Sequence, residues 1–219
     1  MSFDYSLLIK YAPQFLEGFR LTLLTWLGGS VLAVILGFVL ACALASGSGA
    51  LRAAIRCYVE FFRGTPLLVQ LFVAYYGGPN IGITLDAVTV GTFGLGLYGA
   101  AYFVEIFRAG FASIPTGQID AARSFGISRR ERIRHIVLPQ MLVLVIPPSV
   151  SLLVILLKDT AVLSIITVPE LTFQVTGMTI ETFAFVEPFA VLAAFYWVMT
   201  EIISWLGGLA EVRLGAYLR

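Results

Sequence analysis

Residues 115–139 read Pro-Thr-Gly-Gln-Ile-Asp-Ala-Ala-Arg-Ser-Phe-Gly-Ile-Ser-Arg-Arg-Glu-Arg-Ile-Arg-His-Ile-Val-Leu-Pro. The stretch is basic and amphipathic, and its composition excludes it from a lipid interior. It nevertheless lies between runs apolar enough to cross a bilayer. The 219 residues are 59% hydrophobic and 12% charged, with a mean hydropathy of +0.93, so the bilayer is the solvent this chain is built for. A net charge of +1 gives no reason to expect nucleic acid or another acidic polymer as a partner.

Five segments approach the ~20 residues that carry a helix across ~30 Å of hydrocarbon: Phe19–Ala45, Tyr58–Tyr76, Ala87–Phe107, Val137–Leu157 and Phe183–Leu206. The arginines orient them. Arg52, Arg56, Arg63, Arg108, Arg123, Arg129, Arg130, Arg132, Arg134, Arg213 and Arg219 fall on one side, against Lys10, Arg20 and Lys158 on the other. The positive-inside rule makes the first side cytoplasmic, with the N-terminus outside and the C-terminus inside. The expected division is an extracytoplasmic segment at 1–18, a transmembrane domain at 19–211 and a cytoplasmic tail at 212–219. No cleavable signal peptide is visible, so the first span is expected to direct insertion.

Arg63-Gly64-Thr65-Pro66 and Pro147-Pro148 interrupt two of these segments, either as breaks that need protein or water to satisfy the backbone or as ordinary kinks. Gly28-Gly29, Gly94-x-Gly96 and Gly207-Gly208 suit close helix packing. Without a Gly-x-x-x-x-Gly-Lys-Ser/Thr sequence the chain has no P-loop for ATP. His135 has no Cys or second His near enough for a metal site, and Ser149 and Ser151 lack partners for a nucleophile, so no catalytic chemistry is expected. Cys42 and Cys57 read as small packing residues and not as a disulfide.

Within the opening stretch, Pro115 can start a short helix and Gly126 can end it. Ile119, Ala122, Phe125 and Ala121 then gather on one side, with Asp120 expected in the first turn, where a negative charge suits the helix dipole. Such a helix could dock in a groove of a partner protein. It could equally lie on anionic lipid, assisted by the Arg129–Arg134 run.

The register Pro115-x-Gly117-Gln118, Asp120-Ala121-Ala122, Gly126 and Ile136-x-Leu138-Pro139 resembles the EAA loop of bacterial ABC-importer permeases. Phe62-Arg63-Gly64-Thr65-Pro66-Leu67 with Gln70, Ala101-Tyr102 with Glu105-Ile106, Lys158-Asp159-Thr160 and Pro169-Glu170-Leu171-Thr172 look like its polar amino-acid branch, whose members import histidine, glutamine, arginine, opines or cystine. The resemblance implies an all-α type I importer permease in the bacterial inner membrane, with five transmembrane helices and a short cytoplasmic coupling helix. It further implies a second permease, identical or homologous, two ATP-binding subunits that hold the ATP and Mg, surrounding membrane lipid and an extracytoplasmic solute-binding protein. Gly117, Asp120, Ala121, Ala122, Gly126, Leu138 and Pro139 would couple to the ATPase. Members of the family usually carry Glu at the position of Asp120, and Asn near Tyr98 and Ser151. The missing amides leave an opine or an ectoine-like solute open. A stand-alone channel or secondary transporter is the alternative, but no internal repeat supports it.

Charged groups at membrane depth need a partner or a pathway. Tyr98, Tyr102 and Glu105 form one helical stripe, and Ser151, Ile155 and Lys158 another. Asp159 and Glu170 are expected to meet the solute's cationic group, with Leu67 and Tyr102 lining the same cavity. The rival expectation pairs these carboxylates with Lys158. Glu105 is expected to pair with Arg108 or Arg63.

Overall fold

A computed structural model of the chain describes residues 5–215. The first four residues of the expected extracytoplasmic segment and the last four of the expected tail, Arg219 included, lie outside the described residues. The described chain is helical: α1 (Tyr5–Ser46), α2 (Gly49–Gly64), α3 (Leu67–Phe72), α4 (Ala87–Ala112), α5 (Thr116–Ser124), α6 (Arg129–Arg132), α7 (Leu138–Asp159), α8 (Leu171–Thr182) and α9 (Val186–Gly215). Wider π turns occupy Val73–Gly77 and Ile133–Val137, and tighter 3₁₀ turns Gly78–Ile81 and Thr160–Ile166.

Four helical stretches among the described residues are long and apolar enough to span a membrane: Ser6–Ala45, Ala87–Ala112, Arg129–Ile166 and Val186–Leu214. Of the five segments expected, the one without a counterpart here is Tyr58–Tyr76, which the sequence already shows interrupted at Arg63-Gly64-Thr65-Pro66. That segment is not one helix. Its first part is the end of α2, which carries Arg52, Arg56, Glu60 and Arg63 and stops at Gly64. Thr65 is extended (φ −119°, ψ 143°), as expected of a residue before proline, and Pro66 leads into α3. The Gln70 amide nitrogen closes the break, donating to the carbonyls of Phe62 and Thr65 (both 3.0 Å) and to Thr65 Oγ1 (2.8 Å). Pro147-Pro148 behaves differently, for α7 runs through both prolines.

Two of the expected boundaries fall inside helices. Residues 5–18 are helical and continuous with the rest of α1. At ~1.5 Å per residue its 42 residues reach about 63 Å, twice the hydrocarbon thickness, so an end of α1 projects beyond the membrane. Residues 212–215 likewise continue α9, and α8, absent from the sequence expectation, fills the turn before it.

The core forms where α1, α4 and α7 approach closely. A Cβ on Gly37 would collide with Phe103, and one on Gly96 would stand 2.6 Å from Leu32. Gly28, Gly29, Gly94 and Gly207 are equally crowded, as their packing role predicts, whereas Gly208 faces open space. Around this contact Leu71, Leu95, Phe103, Leu156, Leu163 and Ile166 are buried. Trp26 Nε1 ties α1 to α7 through the Leu153 carbonyl (3.0 Å). Outward-facing Leu24, Val31, Ile35, Trp197 and Trp205 are exposed, as lipid-facing side chains should be.

Candidate functional site

The loop between α4 and α7 is built from local capping. Ile114 is buried and anchors its start, and Pro115 precedes the first turn of α5. At the other end Gly126 adopts φ +73°, its amide bonds to the Arg123 carbonyl (2.9 Å), and the Ile127 amide reaches back to Ala122 (3.0 Å). These two bonds form a Schellman terminator, which requires the left-handed residue that glycine supplies. Ser128 and Glu131 then make a reciprocal capping box at the start of α6. Arg132 Nη1 donates to the Ile127 carbonyl (2.5 Å).

The expected apolar stripe on α5 divides. Ala122 is only 4% exposed and packs against the rest of the chain, with Ile119 partly covered beside it. Phe125, by contrast, is 84% exposed, and Gly117, Asp120 and Ala121 share solvent with it. Asp120 is not in the first turn as expected. It is the fifth helical residue and bonds to Arg123 at 3.3 Å. Leu138 is exposed at the start of α7, and Pro139 follows directly after the π turn, inside the continuous helical stretch Arg129–Ile166. One link escaped the sequence reading: Gln140 Nε2 donates to Gln118 Oε1 (2.7 Å) and to the Ile136 carbonyl (2.9 Å), joining the two ends of the motif.

The second polar region lies among α2, α4 and the end of α7. Tyr98 and Tyr102 share a hydroxyl contact of 3.0 Å, and the Arg63 guanidinium stands 5.2 Å above the Tyr102 ring. Asp159, at the end of α7, is half-buried and lies in the neighbourhood of Tyr98. Leu67 is 7% exposed and belongs to the cluster against which both tyrosines pack. Arg63 was not anticipated here, because an arginine beside a predicted span end counts in sequence only as an orientation signal.

Glu170 departs from expectation. It is fully buried, and its carboxylate accepts from the amides of Thr172 (2.9 Å) and Phe173 (2.8 Å), which makes it the N-cap of α8. Thr22 Oγ1 lies 3.4 Å away and accepts from the Leu171 amide (3.1 Å). A carboxylate so enclosed has no face left for a solute. Lys158 lies close enough to Asp159 to act on it electrostatically, but among the described residues it forms no direct ion pair with Asp159 or Glu170, whereas Glu105 does pair with Arg108 at 2.6 Å. Arg52, Arg56, Glu105 and Arg108 line one cavity of about 450 Å³, and Arg123, Arg129 and Arg132 line a neighbouring one of about 590 Å³. Six arginines assigned to one membrane face thus lie at one end of the bundle.

The chain is a permease subunit of the ABC-transporter class, as its family and its relatives show. The chain belongs to the family described as binding-protein-dependent transport system inner membrane component, whose model matches residues 29–215. It is thereby a multi-pass inner-membrane protein. It is 32% identical over 216 residues to the probable amino-acid ABC transporter permease protein YckA of Bacillus subtilis, covering 99% of this chain and 96% of that protein. It is 35% identical over 205 residues to the probable glutamine ABC transporter permease protein GlnM of the same bacterium, covering 92% and 93%. Among solved structures, an amino acid ABC transporter crystallised with histidines matches at a TM-score of 0.89 and 33% identity, over 97% of this chain and 100% of that one. The inward-facing MetNI methionine ABC transporter shares the fold, at a TM-score of 0.70 and 17% identity over 97% and 99%.

Proposed function

We propose that this chain forms the translocation path of a binding-protein-dependent importer for an amino acid or amino-acid-like solute. The observation that carries the reading is the patch of Arg63, Tyr98, Tyr102 and Asp159, which sets a cation and a carboxylate around two hydroxyls in an apolar body. Opposite charges at membrane depth suit a zwitterion, whose carboxylate and ammonium each require an answering group. Leu67 supplies the apolar wall, and Glu170 serves α8 instead of the solute.

In this reading the broken α2–α3 segment makes the fifth crossing, the N-terminus is extracytoplasmic, and the α4–α7 loop faces the cytoplasm. There α5 docks in a cleft of an ATP-binding subunit through Gly117, Asp120, Ala121 and Phe125. Ala122, Gly126, Leu138 and Pro139 hold the helix in place from behind. Two permeases, alike or homologous, and two ATPase chains carrying ATP and Mg complete the transporter, and an extracytoplasmic protein delivers the solute. The permease itself catalyses no reaction.

The test is uptake by the complete transporter in vesicles, with binding protein and internal ATP. Asp159→Asn and Tyr102→Phe should raise the solute concentration for half-maximal uptake at least tenfold while assembly and basal ATP hydrolysis persist. Unchanged uptake in both variants would remove the patch from the solute path.

A further inference from the structure

The groove between α1, the end of α4 and the loop helices has two unlike halves. Phe38, Phe111 and Val137 come from or adjoin membrane-spanning helices and form an apolar wall, and Arg123, Arg129 and Arg132 stand on the loop helices beside it. No carboxylate lines this space of about 590 Å³. Each guanidinium has five donors, and Arg123 and Arg132 have committed only a few of theirs, to Asp120 and the Ile127 carbonyl. The groove therefore combines surplus positive charge with an apolar slot at the edge of the membrane body.

We propose that this groove binds an anionic phospholipid of the adjoining leaflet, its phosphate among Arg123, Arg129 and Arg132 and an acyl chain against Phe38, Phe111 and Val137. The charge complementarity is specific: a zwitterionic headgroup would bring an ammonium against three arginines, whereas phosphatidylglycerol brings none. Basic pockets between membrane helices bind acidic headgroups for this reason. A bound lipid would brace α5 from behind, because Ile119 and Arg123 belong to the same groove, and would leave the exposed face of Gly117, Asp120 and Ala121 untouched.

The experiment is native mass spectrometry of the assembled transporter released from bilayers of equal parts phosphatidylglycerol and phosphatidylcholine. The wild type should retain phosphatidylglycerol over phosphatidylcholine on the order of tenfold. Each arginine near a membrane surface contributes about fivefold to anionic-lipid attraction, so Arg123→Gln with Arg129→Gln should abolish the preference. Arg130→Gln with Arg134→Gln removes equal charge outside the groove and should leave it within about twofold. Val137→Trp keeps every arginine and fills the slot, and should also release the lipid. Equal loss in both arginine pairs would reduce the effect to diffuse surface charge and overturn the site. So would full retention in Val137→Trp. A cysteine at Val137 that crosslinks to another protein chain in the complex would assign the groove to that chain instead. The two arginine pairs are compared only in complexes shown to retain their ATPase subunits, so the contrast decides the matter even if the tryptophan variant fails to assemble.

Discussion

The corner between α7 and α8 and the loop between α4 and α7 both interrupt long helices, yet they treat the freed backbone oppositely. In the corner the amides of Leu171, Thr172 and Phe173 are answered by Thr22 and Glu170, side chains buried inside the same chain. In the loop the caps are formed within a few residues by Gly126, Ser128 and Glu131, and the side chains around them stay in solvent. A corner capped from within commits those three amides to the fold. A loop that caps itself locally keeps its outer face, Asp120, Ala121 and Phe125, uncommitted to the fold.

The contrast can be broken most severely at Gly18. A Cβ there would stand 2.9 Å from the Leu171 Cα and 3.1 Å from its amide nitrogen, and backbone cannot yield as a flexible side chain can. Gly18→Leu should destabilise the permease by on the order of 3 kcal/mol and prevent recovery of a folded complex, read by size-exclusion chromatography. Glu170→Gln ranks next. An amide has one acceptor oxygen for the two amides that the carboxylate serves, and the loss should cost about 1–3 kcal/mol, seen as a lowered melting temperature. Asp159→Asn, eleven residues earlier, should leave the melting temperature unchanged and weaken uptake, which separates the sealed carboxylate from the accessible one.

In the loop, Gly126→Ala places a Cβ in the left-handed region at a cost of about 1–2 kcal/mol, confined to the end of α5. Association with the ATPase should weaken severalfold while the melting temperature of the membrane body holds. Mildest of all is Asp86, the exposed N-cap of α4, whose carboxyl is held below its ordinary range chiefly by its hydrogen bond from the Thr89 hydroxyl. Its stabilisation is complete above the ordinary value of 3.8 and disappears as pH falls through the lowered one. The protection of the Thr89 amide, its exchange rate relative to the intrinsic rate at the same pH, should fall over that interval, and Asp86→Asn should remove this change.

The loop was legible because its determinants are local. Proline, glycine and capping residues act over three or four positions, so spacing alone foretold a helix between Pro115 and Gly126. What escaped was the direction in which that helix faces. Ala122 and Phe125 are three apart and ought to share a stripe, but the turn unwinds at Phe125 and sends its ring outward. The spans were legible by composition except where α2 carries four charges beside a break. Glu170 could not be read at all from its neighbours: its partner Thr22 lies 148 residues away, and a carboxylate near a helix start looks the same whether it caps that helix or faces a pathway. The glycines of α1 and α4 announced close packing, though only the fold shows Gly37 meeting Phe103.

The π turn at Ile133–Val137 holds the loop in a particular rotational setting. It accommodates one residue more than an α-helix of equal rise, with the Leu138 amide reaching five positions back to Ile133. Each residue turns a helix by about 100°, so the extra one sets the azimuth at which α6, and α5 behind it, leave the membrane body. The aim of the exposed α5 face is thus encoded by a count as well as by the contacts that Ala122 and Gln118 make with the rest of the chain. Shortening this turn by a single residue would leave every cap and every apolar surface in the sequence intact and swing the loop through more than a quarter of a circle.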